Sequence, residues 1–201
     1  MQRFTILFIA ILFFSACTRT IGVKDLGTVF IPDPNDPQLP AYSETGMNTL
    51  GAYHNNKPWT SNNNGFGSVV VGYEQDSIIV GLRGAPGFYE VKFLIPKHTV
   101  GRLEDLVFLN DSTFDLSDSN FKVKIDNDLI KIQSGNFSIK RCRKLVVNSS
   151  ATSNDQYVNN GVIISGTFDL SGSGSNGPVA LSKGRFDLVV VNEDFVRNYW
   201  F

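Results

Sequence analysis

Cysteine and histidine are scarce in this 201-residue chain, and its net charge is close to zero. The two cysteines, Cys17 and Cys142, are too few for a disulfide framework, so stability must come from a buried core. The two histidines, His54 and His98, lie far apart in sequence and lack the spacing of a zinc site. A formal net charge of −1 provides no overall field for nucleic acid. The sequence therefore predicts no metal, no cofactor and no nucleic-acid partner.

Long apolar runs are also absent, except at the N-terminus. There, Arg3 is followed by a nearly unbroken apolar run from Phe4 to Ala16, and a cation before such a run is typical of a secretory signal. The run is too short to cross a bilayer core of about 30 Å, which needs roughly 20 apolar residues. We therefore expect residues 1–16 to be a signal peptide and not a transmembrane helix.

The apolar run stops at a cysteine. Ser15 and Ala16 precede Cys17, and this ending resembles the lipobox of bacterial lipoproteins, with Phe14 where that family most often carries Leu. The resemblance implies cleavage before Cys17 and acylation of its sulfur and its new amine. Each buried CH₂ adds about 0.8 kcal/mol, so several chains anchor a protein firmly. It also implies a place in the bacterial cell envelope. Thr18 favours the outer membrane, because Asp at this position is associated with inner-membrane retention, and neither leaflet is specified.

Residues 17–46 are rich in proline between positions 32 and 40. Proline lacks a backbone donor and resists both helix and sheet. Proline-rich segments favour an extended conformation of about 3.1 Å per residue. We therefore expect residues 17–46 to form a tether that holds a domain above the membrane. In the alternative, Val29-Phe30-Ile31 forms a first strand that lies on the domain.

Strand signals recur from residue 47 onward, and helical ones do not. In FYEVKFLI the side chains of Tyr89, Val91, Phe93 and Ile95 fall on one face, with charged residues opposite. Similar runs follow, separated by Gly, Asn, Asp and Ser clusters. About ten short strands with turn-rich connections are typical of a sandwich or barrel. We predict that residues 47–201 form a single all-β domain, an antiparallel β-sandwich, with an open or closed β-barrel as the alternative.

Two similar pentapeptides lie near the C-terminus. GTFDL (166–170) and GRFDL (184–188) flank the Ser- and Gly-rich SGSGSNGP. Two strands joined by such a flexible linker predict a hairpin. Alternation then places two sets of apolar side chains in the same core, namely Val162, Ile164, Phe168 and Leu170 from the first strand and Phe186, Leu188 and Val190 from the second.

A second resemblance begins at Asn48. NTLGAYHNNKPW resembles the N-T-F-G-x-x-V-N-G-K-x-W opening of a family of small bacterial envelope lipoproteins of unknown function, and ISGTFDL…GRFDL resembles that family's closing strands. His54-Asn55-Asn56 replaces the family's Val-Asn-Gly and still permits a tight turn, because Asn tolerates positive φ. The resemblance implies a lipid-anchored β-domain and carries no known activity.

Two features are candidate ligand surfaces. Tyr53 and Trp59 flank the turn of the opening hairpin and could stack on a sugar or a partner, although aromatic residues in strands more often belong to the core. The second feature is KRCRK at 140–144. Alternation places Lys140, Cys142 and Lys144 on one face and Arg141 with Arg143 on the other, where they could meet an anionic partner or guard an edge strand.

Catalytic motifs are not found in the sequence. There is no Gly-x-Ser-x-Gly elbow and no phosphate-binding loop, since GSGSNG lacks the required Lys. Asp111, Asp115 and Asp118 could bind calcium, but they lie among Asn and Ser where short acids commonly form turns. The sequence thus favours a membrane-anchored binding or scaffolding module over an enzyme, with a glycan or an envelope protein as partner. The alternative is a glycan-active hydrolase with unidentified carboxylates.

Overall fold

The computed structural model describes residues 28–61, 70–74, 77–85, 89–96, 100–145, 161–191 and 195–196. Cys17 and the predicted signal peptide, residues 1–16, lie outside these ranges. The strands are β1 Pro32–Asp33, β2 Asp36–Pro40, β3 Thr49–His54, β4 Lys57–Thr60, β5 Val70–Glu74, β6 Ser77–Gly84, β7 Tyr89–Pro96, β8 Ser112–Asp115, β9 Lys122–Ile125, β10 Asp128–Leu145, β11 Gly161–Gly174, β12 Gly177–Val191 and β13 Phe195–Val196. A 3₁₀ helix at Leu103–Leu109 precedes β8.

Strands β3 to β13 belong to one hydrogen-bonded sheet, and β1 and β2 form a separate two-stranded sheet. The strand order of the larger sheet is β13-β5-β6-β7-β9-β10-β11-β12-β3-β4, and β8 pairs with β10. The pairings are antiparallel except for the short parallel contact of β13 with β5. Thr60, the last residue of β4, forms a β-bridge with Ala85, just after β6. This contact joins β4, at one end of the strand order, to β6, near the other end. The sheet therefore curls over on itself as a sandwich or half-barrel, which confirms the predicted all-β antiparallel fold.

The hydrophobic core lies inside this curl. Val91, Phe93 and Ile95 of β7 are buried, as their alternation predicts. The predicted closing hairpin is also confirmed, because β11 and β12 pair along their length. All seven apolar side chains assigned to it enter the same core: Val162, Ile164, Phe168, Leu170, Phe186, Leu188 and Val190.

Phenylalanine rings form the centre of the core. The Phe137 ring stacks between those of Phe93 and Phe186, with centroid distances of 4.4 Å and 5.5 Å. Phe168 meets Phe93 at 5.4 Å. The two similar pentapeptides supply two of these rings, and they face each other across the hairpin. Phe168 pairs with Gly184, and Phe186 pairs with Gly166.

The Ser- and Gly-rich segment between the pentapeptides is more ordered than a flexible linker. β11 continues to Gly174 and β12 begins at Gly177, so the turn itself contains only Ser175 and Asn176. The physical reason is that β10 extends beside this segment and pairs with it, as in Ser134 with Ser171. The backbone N–H of Ser175 also donates to the Asp128 carboxylate at 2.6 Å.

Part of the predicted tether belongs to the folded domain. β1 and β2 form a small antiparallel hairpin, and Leu39 in β2 is fully buried. We call residues 32–47, which include this hairpin and the chain that follows it, the strap. Val29 and Ile31, proposed as part of a first strand, form no strand, and both side chains are about half exposed. The Val29 N–H donates to the Met47 carbonyl, and the Ile31 carbonyl accepts from the N–H of Ala41. The prolines do not prevent this, because the hairpin lies apart from the main sheet.

Candidate functional site

A polar groove lies on the outer face of the sheet, where β8, β10, β11 and β12 run side by side. Ser138 of β10 pairs in register with Thr113 on one side and Thr167 on the other, and Thr167 pairs with Arg185. Cross-strand partners point to the same side of a sheet, so these four side chains form one row. The hydroxyls of Thr113 and Ser138 lie 2.9 Å apart.

The groove has a volume of about 660 Å³. Besides the row, its lining includes Tyr42, Asn136, Lys140, Asp169 and Lys183. Hydroxyl and amide groups both donate and accept hydrogen bonds, whereas Lys and Arg only donate. This set of groups can hydrogen-bond a ligand that carries many hydroxyls.

Asp187 of β12 holds the strap against the sheet beside the groove. Its carboxylate is almost fully buried, with 1% of the residue exposed. The backbone N–H groups of Gly46 and Met47 donate to it at 2.9 to 3.0 Å and 3.0 Å, and that of Thr45 at 3.2 Å. The Ser165 hydroxyl donates at 2.7 Å, and the Ser43 hydroxyl also donates. These donors stabilise the buried charge without a cation.

Asp33 connects the strap to Arg185, the last member of the row. The two side chains form a hydrogen-bonded ion pair, and Arg185 Nη1 also donates to the Pro40 carbonyl at 3.2 Å. The backbone N–H of Asn35 and then the Arg185 guanidinium hold the pKa of Asp33 below its ordinary value. The strap therefore fixes the orientation of Arg185 at the edge of the groove.

Asp36, also in the strap, forms an ion pair with Lys183 and so orients this second cation at the groove. Lys183 Nζ lies 2.9 Å from Asp36 Oδ2, and it sits above the Tyr53 ring at 5.6 Å from the centroid. The Tyr53 hydroxyl donates to Asp36 Oδ1 at 2.6 Å. This hydrogen bond, followed by that from Lys183, lowers the pKa of Asp36, and the same bond is the main cause of the raised pKa of Tyr53. Tyr53, a predicted ligand contact, thus supports a groove residue and does not line the groove.

Tyr42 provides the aromatic side of the groove. The residue is 38% exposed, and its hydroxyl donates to Glu44 Oε1 at 3.0 Å. Partial burial and then the bond to Glu44 raise its pKa well above the ordinary value, so the phenol stays neutral. A neutral, partly exposed phenol ring can stack on the apolar face of a sugar ring.

A β-bulge rearranges the predicted basic cluster. The β10–β11 register shifts between Ile139 and Arg141, so Lys140 is the extra residue. Lys140 lines the groove on the outer face, whereas Cys142 is buried in the core. The prediction that these two residues share a face is therefore wrong. A bulge inserts one residue into the alternation and re-aims the side chains around it.

The other members of the basic cluster follow the shifted register. Arg141 pairs with Ser165, whose hydroxyl binds Asp187 on the outer face, and Arg143 pairs with Ile163 on that same face. Lys144 pairs with Val162, a core residue, and so points to the side of Cys142. The structure thus brings Lys140, Arg141 and Arg143 to one surface and separates Lys144 from them.

Trp59 does not contribute to this surface. It is 2% exposed, belongs to the hydrophobic core and lies against the backbone of Gly84. Its Nε1 has no hydrogen-bond partner within the described ranges. The prediction of a stacking platform at Trp59 is not supported by its position, because β4 curls over the core and carries the indole inward.

The predicted acidic cluster forms turns. Asp115 Oδ1 accepts from the backbone N–H and the hydroxyl of Ser117 at 2.9 Å and 2.7 Å, which lowers its pKa. Asp118 Oδ1 accepts from the N–H of Asn120 at 2.9 Å, and Asp111 has a positive φ. Within the described ranges, no group of three His, Cys, Asp or Glu side chains is placed to hold a metal ion.

A second, smaller cavity of about 330 Å³ lies where three hairpin tips meet. His54, Asp126 and Pro178 are among its lining residues, and partial burial lowers the pKa of His54, which the Asp126 charge raises in part. His98 lies outside the described ranges. No predicted ligand-surface residue lines this cavity, so the larger groove is the candidate site.

Several groove residues were missed by sequence reasoning. Thr167 and Asp169 belong to GTFDL, and Arg185 and Asp187 occupy the same places in GRFDL. The two pentapeptides were the available signal, because the residues between the buried Phe and its neighbours must point outward. The strap acids could not be placed from sequence, since their partners lie about 150 residues away along the chain.

Comparison of the chain with protein-family models, with curated proteins and with solved structures finds no match. The resemblance to small envelope lipoproteins therefore stays an expectation from the sequence. In the part of the chain that the structure describes, no helix is long and apolar enough to cross a membrane.

Proposed function

We propose that this chain is a lipid-anchored binding module of the bacterial cell envelope, held in the outer membrane through Cys17, and that its outer-face groove binds a glycan. The observation that carries the proposal is the row of Thr113, Ser138, Thr167 and Arg185, aligned across four adjacent strands. A row of fixed donors and acceptors, with Tyr42 beside it, matches the hydroxyls and the apolar face of a sugar.

Binding fits the groove better than hydrolysis does. Of the described side chains that line the groove, Asp169 is the one carboxylate. Glycosidases ordinarily need two carboxyl groups, at separations of roughly 5 to 9.5 Å, to act as acid and as base or nucleophile. Asp115 and Asp169 lie on either side of Asn136 in register, but Asp115 is not among the residues that line the groove and already accepts two hydrogen bonds from Ser117.

The test uses the full chain, purified in a nonionic detergent and incubated with a panel of immobilised envelope and dietary polysaccharides. We expect retention on at least one polysaccharide without new reducing ends. Thr167→Val removes a groove hydroxyl at nearly constant shape and should weaken retention, while Thr60→Val on β4 should leave it unchanged. New reducing ends that disappear in Asp169→Asn would instead establish a hydrolase. Retention on none of the polysaccharides contradicts the glycan proposal and favours a protein partner, which cross-linking in intact cells would identify.

A further inference from the structure

Three exposed cations form a strip beside the groove. Lys140 lines the groove, and Arg141 and Arg143 continue from it along the outer face of β10. We call these three residues the basic strip. Alternate residues of a strand lie roughly 6.5 to 7 Å apart, so the three charges are close enough to repel one another.

The basic strip has no acidic partner within the described ranges. Four other cations of the described ranges form ion pairs: Arg83 and Lys92 with Glu90, Lys183 with Asp36, and Arg185 with Asp33. At the groove, Lys183 and Arg185 of β12 pair with carboxylates of the strap, whereas Lys140 of β10 has no such partner among the described residues. The basic strip is thus a local concentration of positive charge on a near-neutral protein, and it adjoins the candidate site.

The bulge at Lys140 creates this arrangement. Strict alternation from Ser138 would keep Lys140 on the outer face, but it would place Cys142 there as well and turn Arg141 and Arg143 toward the core. Bulges are frequent next to binding sites, where they redirect a side chain. Here the bulge turns Arg141 and Arg143 to the face that carries Lys140 and the row of hydroxyls.

We propose that the groove binds an acidic carbohydrate polymer, whose hydroxyls meet the row of Thr113, Ser138 and Thr167 and whose carboxylate or sulfate groups meet the basic strip. This inference rests on the proposed glycan-binding function and specifies the ligand's charge. An anionic lipid surface would contact the strip alone and would leave the hydroxyl row and Tyr42 unused. Arginine and lysine bind carboxylates and sulfates through charge-assisted hydrogen bonds, which are stronger than neutral ones.

The test measures binding of the full chain in nonionic detergent to three soluble polymers: polygalacturonate, dextran sulfate and neutral dextran. The variant K140Q/R141Q/R143Q removes the strip. The control K57Q/K122Q/K131Q removes the same number of exposed cations elsewhere on the domain. We expect wild type to prefer an acidic polymer, the strip variant to lose about tenfold or more in affinity, and the control to change less than about twofold. Preference for polygalacturonate over dextran sulfate, or the reverse, identifies the anionic group.

The same experiment separates the possible failures. If the control loses as much affinity as the strip variant, the attraction is general and the inference is wrong. If wild type binds neutral dextran equally well and Thr167→Val weakens this binding, the proposed function stands and the acidic specificity fails. If no polymer binds, both fail. Binding to phosphatidylglycerol vesicles alone, lost in the strip variant, would assign the strip to a membrane surface and overturn the inference. Thermal midpoints and the single variant Lys140→Glu, which should weaken acidic-polymer binding by itself, exclude misfolding as the cause.

Discussion

Phe186 pairs across the closing hairpin with Gly166. A Cβ atom at Gly166 would lie only 2.7 Å from Phe186 Cζ, so the ring occupies the space that a side chain there would need. Phe168 stands in the same relation to Gly184, where a Cβ would lie 2.5 Å from the Phe168 ring. The glycine of each pentapeptide therefore makes room for the aromatic ring of the other and for a backbone carbonyl oxygen, that of Ser138 at Gly166 and that of Phe168 at Gly184. The similarity of GTFDL and GRFDL reflects this reciprocal packing.

Removing either ring should destabilise the domain strongly. Phe168→Ala and Phe186→Ala each leave a cavity in a stack of four rings, and such changes typically cost about 3–5 kcal/mol. Phe108, which is 46% exposed, provides the matched control, and Phe108→Ala should change stability much less. Urea titrations of the three variants measure the difference. Near-wild-type midpoints for both core variants would contradict the packing described here.

Neutralising Asp187 should release the strap. Asp187→Asn keeps the shape but replaces one acceptor oxygen with a donor that faces the N–H groups of residues 45–47. A buried group left unsatisfied costs about 1–3 kcal/mol, and more when a charged partner is lost. We expect a drop of at least about 2 kcal/mol in the free energy of unfolding. The exposed Asp169→Asn should change stability by less than about 0.5 kcal/mol. Equal effects of the two changes would mean that Asp187 does not clamp the strap.

Docking of the strap should weaken in acid. The pKa values of Asp33 and Asp36 are depressed in the folded protein below the ordinary 3.8. A depressed pKa contributes stability that is present above the unfolded value and is lost as pH falls through the folded value. Stability should thus be constant near neutrality with respect to these groups and should fall below about pH 3.8. The double variant Asp33→Asn/Asp36→Asn should flatten this part of the profile, while Asp115→Asn, whose pKa is lowered by Ser117, should leave the contribution of the strap intact. An unchanged profile in the double variant would refute the assignment.

Lipid attachment at Cys17 remains a prediction of the sequence. Cys17→Ser should abolish incorporation of radiolabelled palmitate and leave the protein uncleaved or released from the membrane fraction. Cys142→Ser is the matched control, because its thiol is buried and donates to the Leu106 carbonyl, and labelling should persist in this variant. Wild-type protein that stays unlabelled and soluble after fractionation would disprove the anchor.

The strands and the closing hairpin could be predicted because alternation is a local property. Val91, Phe93 and Ile95 are separated by one residue each, and burial of one face follows directly from that spacing. The directions of Arg141, Cys142 and Arg143 relative to Lys140 could not be predicted in this way, since a bulge depends on the register between β10 and β11 and a single extra residue reverses every assignment after it.

The strap and Trp59 show a second limit of sequence reasoning. Proline spacing describes what a segment resists, and it does not reveal that Leu39 finds a core contact or that Asp33 finds Arg185 far along the chain. The burial of Trp59 likewise depends on the curl that brings β4 toward β6. Both outcomes are set by tertiary contacts between distant segments, so the candidate groove, which the strap borders, was outside the reach of local patterns.

If Cys17 carries the proposed lipid, the docked strap also limits how far the domain can lie from the membrane. The backbone N–H of Val29 donates to the Met47 carbonyl, so residues 18–28 are all that separates Cys17 from this contact. A fully extended chain spans at most about 3.3–3.6 Å per residue, which allows a leash of roughly 40 Å between a lipid on Cys17 and the domain. The groove would then sample a thin layer next to the bilayer, and its ligands would be those that enter this layer. Residues inserted between Cys17 and Val29 would widen the working radius without altering the groove.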